Sequence, residues 1–295
     1  MKHNHLQLDL FTGTCAHTCA HIYAPTIIDQ TTRKIDQSLR IIRTYNRWKP
    51  LTLAYSGGKD SECVLQLCKL AGVPITIVHN STTIDQPGTI AHCIKQGAII
   101  QRPKLTFFQL VAKKGLPSMF RRFCCSYLKE KYIASPLLLG IRANESVKRA
   151  ARYTEPTQCR IFSKKVSEEQ VLPIVHWDNQ DIIKFATQEN IQFHPYYYNN
   201  GTFDVTRRVG CIGCPLQGDR GVSDYLQHPK FLRLLIKSYN TYTTNHKSIK
   251  GVYDDVLWQL FYSNHGDTRY QQTYHGLFDA PDAKQFLEQY FNIDL

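Results

Sequence analysis

No apolar run in this chain approaches the length of a membrane span, so a membrane partner is not expected. The N-terminus, Met1-Lys2-His3-Asn4-His5, lacks the apolar stretch of a secretion signal, and a cytoplasmic location is the default expectation. There is no run of five or six consecutive basic residues, no internal repeat and no low-complexity segment. The pattern Gly-x-x-x-x-Gly-Lys-Ser/Thr of the usual P-loop is missing. No cysteine lies beyond Cys214.

What the 295 residues do contain is enough apolar (42%) and aromatic (12%) material for a true core. The net charge is +12, from 36 Lys and Arg against 24 Asp and Glu. That balance suits a polyanionic partner: a nucleotide, DNA or RNA. Ten cysteines without a leader argue for metal or redox work rather than a disulfide framework.

The most informative segment is Ser56-Gly57-Gly58-Lys59-Asp60-Ser61. A strand-like stretch, Leu51 to Tyr55, precedes it. A stretch with Val64, Leu65, Leu67, Cys68 and Ala71 on one helical face follows. Strand, diglycine turn and helix N-terminus make an anion site, because glycine lets backbone N–H groups approach a phosphate and the helix dipole points at it. Lys59 adds a mobile charge, and Ser56 and Ser61 add hydroxyls. This loop resembles the pyrophosphatase loop of adenine-nucleotide alpha hydrolases, which cleave ATP between the α and β phosphates.

Further strands are expected at Ile75–His79, Leu137–Ile141 and Val171–Ile174. Helices are expected over Thr31–Tyr45, from near Pro87, over Phe107–Lys114 and over Asn179–Glu189. The alternation implies an α/β fold, a parallel twisted sheet with helices on both faces. Ligands then sit at the carboxyl ends of the strands, where the Ser56 loop, the Thr82–Asp85 loop and the residues after Ile141 converge. After Pro215 the pattern turns helical, with stretches around Phe231–Tyr242, Val252–Phe261 and Ala283–Phe291. The expected division is a helical arm over 1–46, a nucleotide-binding domain over 47–216 and a helical region over 217–295. In the arm, Cys15, His17, Cys19 and His21 share helical spacing but match no common zinc motif.

Gly140-Ile-Arg142-Ala-Asn-Glu145-Ser-Val-Lys-Arg149 follows the third strand, and its arginines suit a phosphate or sulfate. Arg121 and Arg122 are candidates for the same anion. Cys124-Cys125 and Cys211-x-x-Cys214 stand 86 positions apart, 211 minus 125. Four thiolates from two short elements suit an iron–sulfur cube better than a single zinc, since adjacent side chains diverge. A catalytic or incidental Cys-x-x-Cys beside two buried thiols is the remaining alternative. Lys129, Arg207 and Arg208 can offset the negative charge of a cluster.

Taken together, Ser56–Ser61, Thr82-Thr-Ile-Asp85, Arg122-x-Cys124-Cys125-x-x-Leu128-Lys129, Gly140-x-Arg142-x-x-Glu145-Ser146-x-x-Arg149, Pro173-Ile174-x-x-Trp177-x-x-x-Asp181 and Arg208-Val-Gly-Cys211-x-x-Cys214-Pro215 resemble the phosphoadenosine phosphosulfate (PAPS) reductase family. The resemblance runs from about Leu51 to Leu216. It implies ATP, adenylylsulfate or PAPS as ligand, held by Ser56, Gly57, Gly58, Lys59, Asp60, Ser61, Asp85, Gly140, Arg142, Glu145 and Arg149. It implies a 4Fe–4S cluster on Cys124, Cys125, Cys211 and Cys214. Lys59, Asp60, Arg142 and Arg149 are the candidate catalytic residues, with Mg²⁺ on Asp60 or Asp85.

The reductases attack sulfate with a cysteine in a C-terminal Glu-Cys-Gly-x-His segment, and this chain has none. Cys159 is the only loose substitute. The chain therefore looks more like the DNA-phosphorothioation (DndC-like) and phage-type branch, which activates an oxygen with ATP for sulfur transfer. That branch implies a sulfur-donor protein and a nucleic-acid substrate as candidate partners. A sulfonucleotide reductase with a borrowed thiol and a non-catalytic nucleotide-sensing module are the alternatives.

Overall fold

The computed structural model describes residues 29–130, 133, 136–163, 166–246, 251–261 and 282–295. The segment bearing Cys15, His17, Cys19 and His21 lies outside the described residues.

A helix, α1 (Gln30–Asn46), leads into β1 (Leu51–Ala54), α2 (Lys59–Ala71), β2 (Ile75–Asn80), α3 (Thr89–Lys95), β3 (Ile99–Gln101) and α4 (Phe107–Lys114). Then come β4 (Leu137–Leu138), α5 (Val147–Arg152), β5 (Thr157–Ser163), β6 (Val166–Val171) and α6 (Asn179–Gln188). A short hairpin, β7 (Tyr198–Asn199) and β8 (Thr202–Phe203), precedes four helices: α7 (Asp219–Gln227), α8 (Pro229–Asn245), α9 (Val252–Phe261) and α10 (Ala283–Phe291). The six-stranded sheet has the order β3-β2-β1-β4-β6-β5. All its pairs are parallel except β5 with β6. The α/β architecture expected from the alternating pattern is the one observed, with additional C-terminal helices. No described helix is long and apolar enough to cross a membrane.

Two strands differ from expectation. The stretch Val171–Ile174 is not a strand; β6 ends at Val171 and a turn follows. Pro173 has no N–H to give a ladder, so the chain must leave the sheet there. Ile174, Val175 and Trp177 stay buried all the same. The predicted third strand keeps only Leu137 and Leu138 in the ladder. Beyond it Gly140 turns along the loop after β1.

Burial divides into two main cores. One joins α1, α2 and α6 to the central strands through Ile42, Leu53, Leu65, Leu67, Trp177 and Phe185. Here Asp181 ties α1 in place, accepting from Thr31 Oγ1 at 2.9 Å and Lys34 Nζ at 2.6 Å. Trp177 Nε1 donates to Ser38 Oγ at 3.1 Å. The Trp177 and Asp181 pair thus anchors a helix rather than a ligand. The second core joins α4 to the C-terminal helices through Leu110, Val111, Leu232, Leu235 and Phe261. Leu128 and Ile212, neighbours of the two cysteine pairs, belong to this second core.

Candidate functional site

The loop after β1 is pinned by its own serines. Ser61 Oγ donates to the Gly58 carbonyl at 2.8 Å and lies 3.3 Å from the Ser56 N–H. Gly57 has φ of +74°, a conformation open to glycine at little cost. The Tyr197 hydroxyl accepts from Lys59 N–H at 2.9 Å and from Val209 N–H at 3.4 Å. Among the described residues, none accepts from the N–H groups of Gly57, Asp60 or Ser61. Free amides at the start of α2, with its dipole behind them, form an anion cradle. Gly140 fits against this turn: a Cβ there would stand 2.7 Å from Asp60 C and Ser61 N. Its part is close packing of the loop.

Cations surround the cradle. Lys59 is only 3% exposed. Its ammonium lies 3.6 Å from Asp60 Oδ2 and donates to the Arg207 carbonyl at 3.3 Å. Arg142 Nε meets Asp60 Oδ1 at 2.6 Å. Glu145 holds Arg208 at 3.1 Å and also pairs with Arg149. Lys59, Arg142, Asn144, Thr206 and Arg208 line a cavity of about 220 Å³. Burial, then the charges of Arg142 and Arg208, push the Lys59 pKa down against the pull of Asp60. Burial and Arg208 push Arg149 down as well. Cations crowded enough to depress one another make a strong seat for a multiply charged anion. Sequence reasoning placed Arg208 beside the cysteines and missed Tyr197. No local signal marks a tyrosine hydroxyl that serves a loop 138 residues away.

Beside the cradle lies a second cavity of about 130 Å³, bordered by Ser56, His79, Asn80, Thr82, Asp85 and Thr89 among others. Asp85 closes its own loop, accepting from Thr82 N–H at 2.9 Å, Thr82 Oγ1 at 2.6 Å and Ser81 Oγ at 3.2 Å. His79, buried below, donates from Nδ1 to the Tyr55 carbonyl at 2.8 Å. Burial alone would lower its pKa, but Asp85 and Cys93 outweigh it and raise the group to about 10. Asp85 is held below its ordinary value by His79 and Thr82, against the effect of burial. The expected Mg²⁺ ligands do not fit that role as they stand. Both oxygens of Asp60 face cations, and both oxygens of Asp85 accept loop donors.

Cys124, Cys125, Cys211 and Cys214 border one further cavity, and Thr82 and Lys129 border both this cavity and the previous one. Cys125 opens a one-turn π-helix, Cys125–Lys129. Cys211 forms an antiparallel bridge with Asp85, and Ile212 N–H donates to the Ile84 carbonyl at 2.8 Å. A hydrogen bond with Cys125, together with burial, raises the Cys124 pKa, while Cys124 and Arg122 lower that of Cys125 against burial. Cys211 and Cys214 raise Lys129. Among the described residues, no three His, Cys, Asp or Glu side chains draw close enough to hold a single metal ion. The chemistry of the donor set nevertheless fits a cluster: four thiols on one cavity, with Lys129 and Arg122 to balance charge. Cys159 stands exposed on the edge strand β5, apart from this group.

Among known proteins, the family model described as the phosphoadenosine phosphosulfate reductase domain matches residues 50–217. No curated protein matches the chain. Solved structures similar to it include a Candida auris phosphoadenylyl-sulfate reductase in a phosphate complex, at 14% identity and a TM-score of 0.40, over 53% of this chain and 81% of that one. A Candida glabrata FMN adenylyltransferase with FMN and an ATP analogue is similar at 17% identity and a TM-score of 0.41, over 59% of this chain and 62% of that one. The same adenylyltransferase with FAD and inorganic pyrophosphate gives 17% and 0.40, over 57% and 60%. The chain thus spans less than two thirds of the adenylyltransferase.

Proposed function

The chain belongs to the phosphoadenosine phosphosulfate reductase domain family, and from that premise we propose that it is an ATP α-hydrolase that activates an acceptor for sulfur transfer and releases pyrophosphate. The supporting observation is the unsatisfied N–H triplet of Gly57, Asp60 and Ser61 beside the Lys59, Arg142 and Arg208 cavity. An acceptor oxygen attacks the α-phosphorus, the bond to the bridging oxygen breaks, and pyrophosphate leaves carrying both electrons of that bond. The amides and Lys59 meet the charge that grows on the leaving group. Arg142 and Arg208 hold its outer oxygens in line, and Glu145 holds Arg149 and Arg208 in register. Tyr197 fixes the start of α2 so that the amides do not move during the step.

With the phosphates on the cradle, the base takes the second cavity, beside Ser56, and this is the nucleotide cavity; the acceptor enters by a neighbouring one that shares Ala54, Lys129 and Ile133 with it. The net charge of +12 favours an acceptor on DNA or RNA. Cys124, Cys125, Cys211 and Cys214 would hold a 4Fe–4S cluster, which supplies electrons or a sulfur-binding iron when bound. The cluster's wall is the Thr82 and Lys129 side of the nucleotide cavity.

Purified protein incubated with ATP is expected to release inorganic pyrophosphate, with AMP left on the nucleic acid when it is present and free when water is the acceptor, and Lys59→Ala to abolish the release. Tight ATP binding with no pyrophosphate from any mixture would leave a sensing module in its place. Sulfite released from adenylylsulfate or PAPS with thioredoxin would favour a reductase.

A further inference from the structure

We propose that the turn closing α1 is a docking site for single-stranded nucleic acid, with Trp48 stacking on a base and Arg47 and Lys49 taking the phosphates on either side of it. The turn lies where β1 and β2 begin, at the opposite end of the sheet from the anion cradle. The inference therefore goes beyond the nucleotide reading and does not depend on it. Helix α1 ends at Asn46, and Pro50 follows. Proline disfavours helical backbone in the residue before it, so the chain must leave the helix by Lys49. It does so in a tight turn: Trp48 N–H donates to the Tyr45 carbonyl at 3.1 Å, and Lys49 N–H to the same carbonyl at 3.4 Å. The backbone is held while the indole stands outward. Trp48 is 79% exposed, whereas Trp177 is 1% exposed. Among the described residues, the Trp48 indole has no ring partner and no cation over its face.

The surroundings carry one sign of charge. Trp48 borders a shallow groove of about 450 Å³ together with Arg47, Lys49, Pro74 and Thr76, and no acidic side chain lines it. Arg47 and Lys49 are exposed, and among the described residues neither forms an ion pair. Arg40 and Arg33 continue from Arg47 along α1 at seven-residue spacing, two turns apart and so on one face. Asp36 is the only acid of that helix. Arg43, by contrast, is engaged by the Ala71 and Leu70 carbonyls at the end of α2. Cations alone would attract any polyanion. A flat exposed ring between two of them fits a partner with both a phosphate backbone and free base faces, which is an unpaired strand. A duplex hides its base faces in its own stack, and a run of carboxylates offers the indole nothing flat to meet. None of the three side chains distinguishes ribose from deoxyribose, so the strand is held by phosphate and base face alone.

The test is equilibrium binding of a fluorescein-labelled oligo-dT of about 16 nucleotides to the full chain, read by anisotropy across a salt series. Trp48→Ala is expected to weaken binding about tenfold, and Trp48→Phe, which keeps a ring, to retain most of it. Arg47→Ala combined with Lys49→Ala should make the salt dependence shallower by about 1.4 in slope, from two phosphates at about 0.7 each. Lys230→Ala, which removes an exposed cation on α8, should change neither quantity. All these side chains are exposed, so each variant should keep the wild-type urea midpoint, measured alongside. Unchanged affinity in Trp48→Ala overturns the assignment, as does a duplex of the same length, or poly-glutamate, bound as tightly as the single strand. A loss in Lys230→Ala equal to that in the double variant also overturns it, since diffuse attraction to a surface of net charge +12 would then account for the binding. Failure of the wild type to bind the oligonucleotide removes the docking site and leaves the anion cradle standing, because pyrophosphate release with water as acceptor is scored without it.

Discussion

Arg142 Nε donates to Asp60 Oδ1 at 2.6 Å, across 82 residues of chain. The other Asp60 oxygen faces Lys59 at 3.6 Å, so one carboxylate holds two cations beside the anion cradle. Asp60 raises the Lys59 pKa, opposing burial and Arg142. Asp60→Asn keeps the shape and removes the charge. The Lys59 pKa then falls further, so the alkaline limb of pyrophosphate release should move to lower pH, with a rate loss of about 100-fold from misplaced arginine. A pH–rate profile of the variant that superimposes on the wild type would show that Asp60 has no such role.

Gly140→Ala should be damaging out of proportion to one methyl group. The new Cβ would meet backbone atoms of Asp60 and Ser61 at 2.7 Å, and backbone cannot rotate aside. We expect a loss of about 1–3 kcal/mol in urea unfolding and weaker ATP binding in the same variant. Normal binding together with normal stability would mean that the loop yields more than its serine clasps suggest.

The cysteines make a compositional prediction. Anaerobically purified protein should be brown and carry about four irons with matching sulfide. Cys211→Ser should lose them, and Cys159→Ser, on the exposed edge strand, should not. Iron retained in Cys211→Ser, or a colourless protein with one zinc, would contradict the assignment.

His194 provides a pH dependence with a definite sign. Burial and the nearby His92 push its pKa down from 6.5 to about 4. Its Nδ1 accepts from Tyr196 N–H at 3.1 Å, which a neutral ring can do. The unfolded chain takes up a proton near the ordinary value while the folded chain resists. The contribution is complete above about pH 6.5 and is lost as pH falls toward 4, by up to about 3 kcal/mol. Chemical unfolding at stepped pH should show this slope, and His194→Asn, which retains an acceptor for Tyr196, should flatten it. An equal slope in both proteins would assign the effect to other groups.

Much of this was legible in the chain wherever a signal was local. Helix α4 begins and ends where the sequence places it, because Thr106 and Gln109 form a capping box and Gly115 ends it. The loop from Ser56 to Ser61 announced itself through its glycines between a strand and a helix. Strand β3 escaped notice because three residues carry no period. Strand β5 pairs only with β6 at the sheet edge and has no apolar run to mark it. The tertiary partnerships were the least visible. Arg208 reaches Glu145, and Tyr197 reaches Lys59, only once the strands have brought distant segments to one end of the sheet.

The clasp between Ile84 and Ile212, with the bridge from Asp85 to Cys211, joins the two chambers through main chain alone. Trimming side chains on either segment leaves that tie intact. A change that removes an amide hydrogen, such as proline at 212, would sever the thiol-bearing segment from the Thr82–Asp85 loop.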